Sequence, residues 1–261
     1  MRRLAHTRAG DGPRALLLLH GFLGSARNLA SLARGLAERL PDRTVVSLDL
    51  PGHGASPPLP ANADLAAVAR DVLDSARALS LPAPWTLVGH SLGGRVALRA
   101  GLLEPAALAH LTLLDVTPAP RAPGGETQRI VQALVGAPDA GRTREEFRAW
   151  FRGAGLSGEA TDWLLLNLAP DGDVYRWRVD RAALAALFPR IGADDLWPAV
   201  EGPRAYAVHA VRGGKSDYVS DEDVRRLQAA GARVDTLADA GHFLHVDRPR
   251  ELLDQIVRGL A

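Results

Sequence analysis

Strand-length apolar runs alternate along this chain with amphipathic stretches of helix length, and that alternation limits its possible folds more than any other feature. Ala15–Leu19, Thr44–Leu48, Trp85–Val88, Leu111–Leu114 and Ala205–Val211 read as buried strands. Between and after them, Ala26–Leu40, Ala63–Leu79, Leu92–Leu103, Asp221–Ala230 and Arg248–Leu260 carry helical periodicity. Strand followed by helix, repeated, predicts an α/β fold: a mostly parallel sheet covered by helices on both faces. Residues 1–9, with Leu4 and His6 alternating against polar neighbours, are read as part of an edge hairpin.

The alternation breaks between about Thr117 and Glu201. A breaker-rich linker, Pro118 to Gly125, opens this stretch. Helical patterns follow at Glu126–Leu134, Thr143–Phe151, Glu159–Leu168 and Arg181–Phe188, without a strand repeat. Trp150, Trp163, Trp177 and Trp197 all lie here. The expectation is a core made of residues 1–117 and 201–261, with residues 118–200 inserted as a helical cap, or lid. Some of the lid aromatics would then lie over a pocket.

At 261 residues the chain can bury a full core, and 47% hydrophobic against 23% charged residues excludes disorder. Thirty-one basic residues nearly cancel thirty acidic ones, so no strong field favours nucleic acid or an anionic membrane. Lys215 is the one lysine among them. With no cysteine, disulfides, thiolate chemistry and cysteine-based metal sites are excluded. Met1-Arg2-Arg3 imitates the start of a signal peptide, but the apolar stretch Ala15–Leu19 is far shorter than the roughly 7–15 residues a signal core needs. A soluble, cytoplasmic protein is the expectation; monomer and dimer stay equally open.

Gly89-His90-Ser91-Leu92-Gly93 is a G-x-S-x-G pentapeptide between a predicted strand and a predicted helix. In that context the turn exposes a serine hydroxyl at a helix N-terminus, where the dipole favours developing negative charge. A nucleophilic serine needs a base, and the base an orienting carboxylate, here in the order Ser, Asp, His. His242 follows the predicted strand Arg233–Leu237 and is the candidate base. His245 reads as a helix-start residue; His242-x-x-His245 lacks a third ligand at a sensible spacing, so no metal is expected. Two carboxylates satisfy the order: Asp115, ending the run Leu111–Leu114, and Asp217, following Ala205–Val211. The backbone N–H groups of Phe22, in His20-Gly21-Phe22-Leu23-Gly24-Ser25, and of Leu92 are the expected oxyanion donors. Gly52-His53-Gly54 reads as a structural turn, with His53 outside proton transfer.

HGFLGS at 20–25, DLPGHGAS at 49–56, GHSLGG at 89–94 and AGHFLHVDRP at 240–249 together resemble the α/β-hydrolase superfamily over essentially the whole chain. LLDVTP at 113–118 and RGGKSDYV at 212–219 resemble segments of small bacterial esterases similar to YbfF and of ABHD11-like hydrolases. The resemblance implies a serine hydrolase that cleaves small carboxylic esters or thioesters without a cofactor. It favours Asp115 as the acid, with Ser216 as a supporting hydrogen-bond partner. If Gly213 matches the glycine of the superfamily's usual G-x-x-D segment, Ser216 and not Asp217 occupies the acid's place. The HGFLGS and SLGGR strings also resemble the menaquinone-pathway lyase that makes the SHCHC intermediate. There the arginine after the elbow helps bind a carboxylated substrate, a role that would fall to Arg95. That lyase tends to carry Tyr where this chain has His90. C–C bond hydrolysis and perhydrolysis are further chemistries of the superfamily, and a binding-only use of the fold would not need Ser91 and His242 together.

Overall fold

The computed structural model describes residues 3–121 and 124–260. Met1 and Arg2 of the basic start, and Ala122 and Pro123 of the linker, lie outside the described residues. Among the described residues ten strands form in chain order: β1 His6–Ala9, β2 Arg14–Leu19, β3 Arg43–Leu48, β4 Trp85–His90, β5 Leu108–Leu114, β6 Ala140–Gly141, β7 Leu168–Asp171, β8 Val174–Trp177, β9 Ala207–Gly213 and β10 Arg233–Leu237. Seven of them make one sheet in the order β1-β3-β2-β4-β5-β9-β10. All its pairings are parallel except that of β1 with β3. This is the mostly parallel α/β sheet expected from the alternation.

β2 shows why the central strands are continuously apolar. Successive side chains point to opposite faces, and here both faces are covered. Leu17 and Leu19 join a cluster with Val68, Val72 and Val96 from the helices Leu65–Ala78 and Leu92–Leu103. Leu16 and Leu18 join Leu36 and Ile256 from the helices Ala30–Arg39 and Pro249–Leu260. Full burial of such a leucine is worth about 1.5–3 kcal/mol, so a strand with both faces occupied anchors the sheet. The expected edge hairpin does not form. Both edges of β2 are taken by β3 and β4, so β1 reaches past its neighbour and pairs His6 with Leu48 and Ala9 with Val45.

The long insertion lies between β5 and β9. Its four predicted helices are present as Gly125–Gly136, Arg144–Gly153, Gly158–Leu165 and Arg181–Ala193. Beside these helices, which the sequence shows without a strand repeat, β6, β8 and β7 form a small antiparallel sheet. Leu168, expected to end a helix, begins a hairpin whose two-residue turn has Gly172 at a φ of 59°. Among the described residues no helix is long and apolar enough to cross a membrane.

Candidate active site

β4 delivers Ser91 to the carboxyl end of the sheet, the end at which open parallel sheets place their ligands. Ser91 itself has φ 51° and ψ −113°, a left-handed backbone that a non-glycine residue adopts only when its surroundings hold it. The surroundings are tight. A Cβ at Gly93 would stand 2.2 Å from the carbonyl oxygen of Leu19, and one at Gly89 would stand 2.3 Å from the backbone of Gly93. Strand and helix therefore meet only across glycine, and the turn points the serine into a cavity of about 240 Å³ that Phe22, Leu92, Val116, Phe188 and Tyr218 also line.

Asp115 stands at the end of β5, likewise in a left-handed conformation (φ 48°), and is fully buried. A carboxylate buried this way needs donors, and it has three. Oδ1 accepts the Gly213 N–H at 2.9 Å, and Oδ2 accepts the Ser216 hydroxyl and Nδ1 of His242, the latter at 2.7 Å. Nδ1–H donation to Asp115 leaves Nε2 of His242 as the free, proton-accepting nitrogen. Asp217, the alternative acid, is exposed and meets none of these groups. The structure thus brings Asp115, Ser216 and His242 together and leaves Asp217 outside. The Ser91 hydroxyl makes no hydrogen bond to His242 in this arrangement; such contacts often tighten only with substrate bound.

The glycine pair in Arg212-Gly213-Gly214-Lys215-Ser216 has a steric explanation. The loop carrying His242 passes so closely that a Cβ at Gly213 would lie 2.3 Å from the Gly241 carbonyl oxygen, and one at Gly214 would lie 2.5 Å from that of Ala238. The same two loops are joined by Lys215 N–H to the Ala240 carbonyl at 2.9 Å, and by the Lys215–Asp239 ion pair at 3.2 Å.

Reading residue by residue missed several contributors. His90 is buried, and burial first, then His242 and His245, push it well below the ordinary histidine range. Neutral, it donates from Nε2 to the His242 carbonyl at 2.8 Å and so holds the histidine loop. Tyr218 stacks on the His242 ring, centroids 3.7 Å apart and planes 15° from parallel. Its hydroxyl bonds Thr127 of the insertion at 2.7 Å, and the Arg121 guanidinium lies 4.3 Å from its ring centre. Placed two residues beyond Ser216, Tyr218 was legible as a neighbour of the site but not as a platform for its imidazole.

His20 and His53 brace the loop that carries Phe22. Nε2 of His53 accepts the Leu23 N–H at 3.1 Å and Nε2 of His20 accepts the Leu50 N–H at 2.9 Å. Their Nδ1 atoms donate to Pro51 and Gly21 carbonyls. Burial lowers His20 to about 4 and His53 to about 3, so both are neutral struts. No other protein group takes the N–H of Phe22 or Leu92 among the described residues.

Arg95 lines the cavity, but it is buried and its five N–H groups go to the carbonyls of Ile191, Thr117, Ala119, Gly192 and Asp194. An arginine has five donors, so none remains free. Of the insertion's aromatics, Phe188 lines the cavity as expected and the four tryptophans stand away from it. Trp177 packs edge-on against Phe147 and Phe151, Trp163 meets Phe243, Trp197 lies under Arg226, and Trp150 is largely exposed. Phe188 is the insertion's aromatic at the cavity, 5.4 Å from Phe22. Among the described residues no group of three or more His, Asp or Glu is placed to hold a metal ion.

Comparison with known proteins agrees with this architecture. The model of the alpha/beta hydrolase family matches residues 16–255. The chain is 29% identical over 255 residues to the sn-1-specific diacylglycerol lipase ABHD11 of Mus musculus, covering 95% of this chain and 81% of that protein. It is 29% identical over 247 residues to the esterase YbfF of Escherichia coli (strain K12), covering 94% and 92%. A solved marine microorganism esterase superposes with a TM-score of 0.86 at 22% identity, covering 99% of both chains, a likeness of fold.

Proposed function

Since the chain belongs to the alpha/beta hydrolase family, we propose that it is a serine hydrolase that cleaves small carboxylic esters or thioesters through an acyl-enzyme. One observation carries this reading: Asp115 bonds Nδ1 of His242 while Ser91, raised on its strained turn, lines the same cavity as Tyr218, whose ring stacks on that imidazole. Ser91 Oγ attacks the substrate carbonyl as Nε2 of His242 takes its proton. The carbonyl oxygen gains the negative charge, facing the N–H groups of Phe22 and Leu92. Collapse expels the alcohol or thiol, which leaves with the proton from His242. Water then repeats the sequence on the acyl-enzyme and frees Ser91. Ser216 holds Asp115 in place for both halves. Esterase and lipase names among the relatives support ester chemistry.

Residues 118–200 act in this reading as a cap, with Phe188 closing the cavity over Ser91. A cavity of about 240 Å³ fits acyl groups of short to medium length. The lyase alternative would need Arg95 to bind its carboxylated substrate, and the Arg95 donors are all occupied by backbone carbonyls. Wild type and Ser91→Ala, incubated with p-nitrophenyl acetate and butyrate, test the proposal. Acylated Ser91 is expected by mass spectrometry, and only in the wild type; a variant that keeps wild-type turnover refutes it. A chain-length series that rises steadily to long-chain emulsified triglycerides refutes the cap's role in limiting acyl length.

A further inference from the structure

The loop after β2 is a tight turn in which the Gly24 N–H bonds the Gly21 carbonyl at 3.0 Å, with Phe22 and Leu23 at its centre. Leu23 has a φ of 59°, a left-handed conformation that leucine strongly disfavours. Two long-range side chains hold it there. On one side His53 accepts the Leu23 N–H. On the other, Nδ2 of Asn167 donates to the Leu23 carbonyl at 2.9 Å, across 144 positions of chain. Asn167 belongs to the insertion, just beyond the helix Gly158–Leu165. Its own backbone is fixed by bonds from its N–H to Leu164 (3.0 Å) and from the Arg178 N–H to its carbonyl (2.8 Å). Its side chain is buried, and its other contact, with the Leu164 carbonyl at 3.5 Å, is at the limit of a hydrogen bond.

We propose that Asn167 is a positioning residue for the oxyanion loop, through which the insertion sets the aim of the Phe22 N–H. This rests on the reading of Phe22 as an oxyanion donor. If Leu23 is released on its carbonyl side, the favoured relaxation is to negative φ, which turns over the peptide between Phe22 and Leu23. The adjoining Gly21–Phe22 peptide, whose N–H would face the oxyanion, then loses its fixed direction. Donors of this kind act only within about 2.7–3.1 Å of the developing charge, so a small misaim is felt in the transition state and hardly in the bound ester. Phe22 gives the insertion a second grip, through the ring contact with Phe188. An insertion moved off the core would therefore leave Ser91 and His242 in place but lose the oxyanion geometry.

Asn167→Asp keeps size and replaces the donor by an acceptor; Asn167→Ala removes it. With p-nitrophenyl butyrate, both are expected to lower kcat roughly tenfold or more, part of the effect of losing a whole oxyanion donor, while KM stays within about twofold. Affinity for a trifluoromethyl ketone should fall by the same factor as kcat. That probe accepts Ser91 Oγ at its carbonyl carbon, passes the serine proton to His242 and leaves an oxyanion on the hemiketal. Inhibition by free butyrate should not change. Adding Leu23→Gly, which makes positive φ freely accessible, should restore at least threefold of the lost kcat. Should Asp and Ala at 167 both fail to fold, Asn167→Ser, which shortens the reach, carries the same comparison. A rise in KM at constant kcat, an unchanged ketone affinity, or no recovery with Leu23→Gly overturns the proposal. Ser91→Ala run in parallel separates the two readings, since turnover surviving there refutes the nucleophile and not the latch.

Discussion

Replacing Asp115 by Asn changes one atom in a fully buried site, and its consequence follows from counting donors. The carboxylate receives three: Gly213 N–H, Ser216 O–H and His242 Nδ1–H. An asparagine has one oxygen and a donating NH2. If the oxygen faces Gly213, the amide faces His242 and forces the imidazole to present a lone pair at Nδ1. The ring proton then sits on Nε2, where the base is needed. If the oxygen faces His242, the amide points at the Gly213 N–H, donor against donor. Either arrangement stabilises the wrong tautomer or destabilises the right one. Loss of tautomer control reaches about 10⁴ in turnover in the best-studied triad, or about 5.5 kcal/mol of barrier. The expected result is a loss of roughly 10³–10⁴ in kcat/KM for p-nitrophenyl butyrate in Asp115→Asn. Asp217→Asn, at an exposed side chain, should stay within about twofold of wild type. Matching circular dichroism and thermal melts would show both proteins equally folded. An Asp115→Asn enzyme retaining a tenth of its activity, or an Asp217→Asn enzyme losing more, would refute the assignment.

Arg95→Met should damage stability and spare selectivity. It strips the carbonyls of Ile191, Thr117, Ala119 and Asp194 of this donor, while that of Gly192 keeps the Arg121 N–H, and each buried group left unsatisfied costs about 1–3 kcal/mol unless water reaches it. A fall in Tm on the order of 10 °C is expected, with the preference between neutral and carboxylated esters changed less than about twofold; an unchanged Tm with altered preference would contradict the structural role. Stability should also fall in mild acid. His20 and His53, lowered by burial to about 4 and about 3, bind protons less readily folded than unfolded, where histidine titrates near 6.5. Their stabilisation is therefore whole above about pH 6.5 and is lost as pH falls from there toward 4, by up to about 1.4 kcal/mol per unit for each. Urea denaturation at pH 7.5 and pH 5 measures this, and equal midpoints would exclude it.

What was legible in the sequence was what depends on neighbours in the chain. β2 to β5 and β9 stood out because a strand covered on both faces must be apolar throughout, and the Ser91 turn stood out because its motif is written within one strand–turn–helix unit, although the contact that imposes Gly93 comes from Leu19 of β2. The hairpin of β7 and β8 was equally local and was overlooked. Gly172-Asp173 between Leu168–Asp171 and Val174–Trp177 is a two-residue turn signal, masked by the apolar helix that runs into it. The choice between Asp115 and Asp217 was harder, since both follow strands in the right order, and only the spacing within 212–219 and the resemblance to small esterases separated them. Arg95 was beyond reach. An arginine after the elbow looks the same whether it meets a substrate carboxylate or backbone carbonyls, and its partners come from two segments, 117–119 and 191–194, on either side of the insertion. Arg95 is thus a clasp joining the two ends of the insertion to the helix that follows Ser91. Asn167 extends the same logic to the far side of the cavity. Chemistry that needs one nucleophile, one base and one acid is written in short motifs, whereas the alignment of the insertion over them depends on carbonyls, which every residue possesses and no sequence pattern marks.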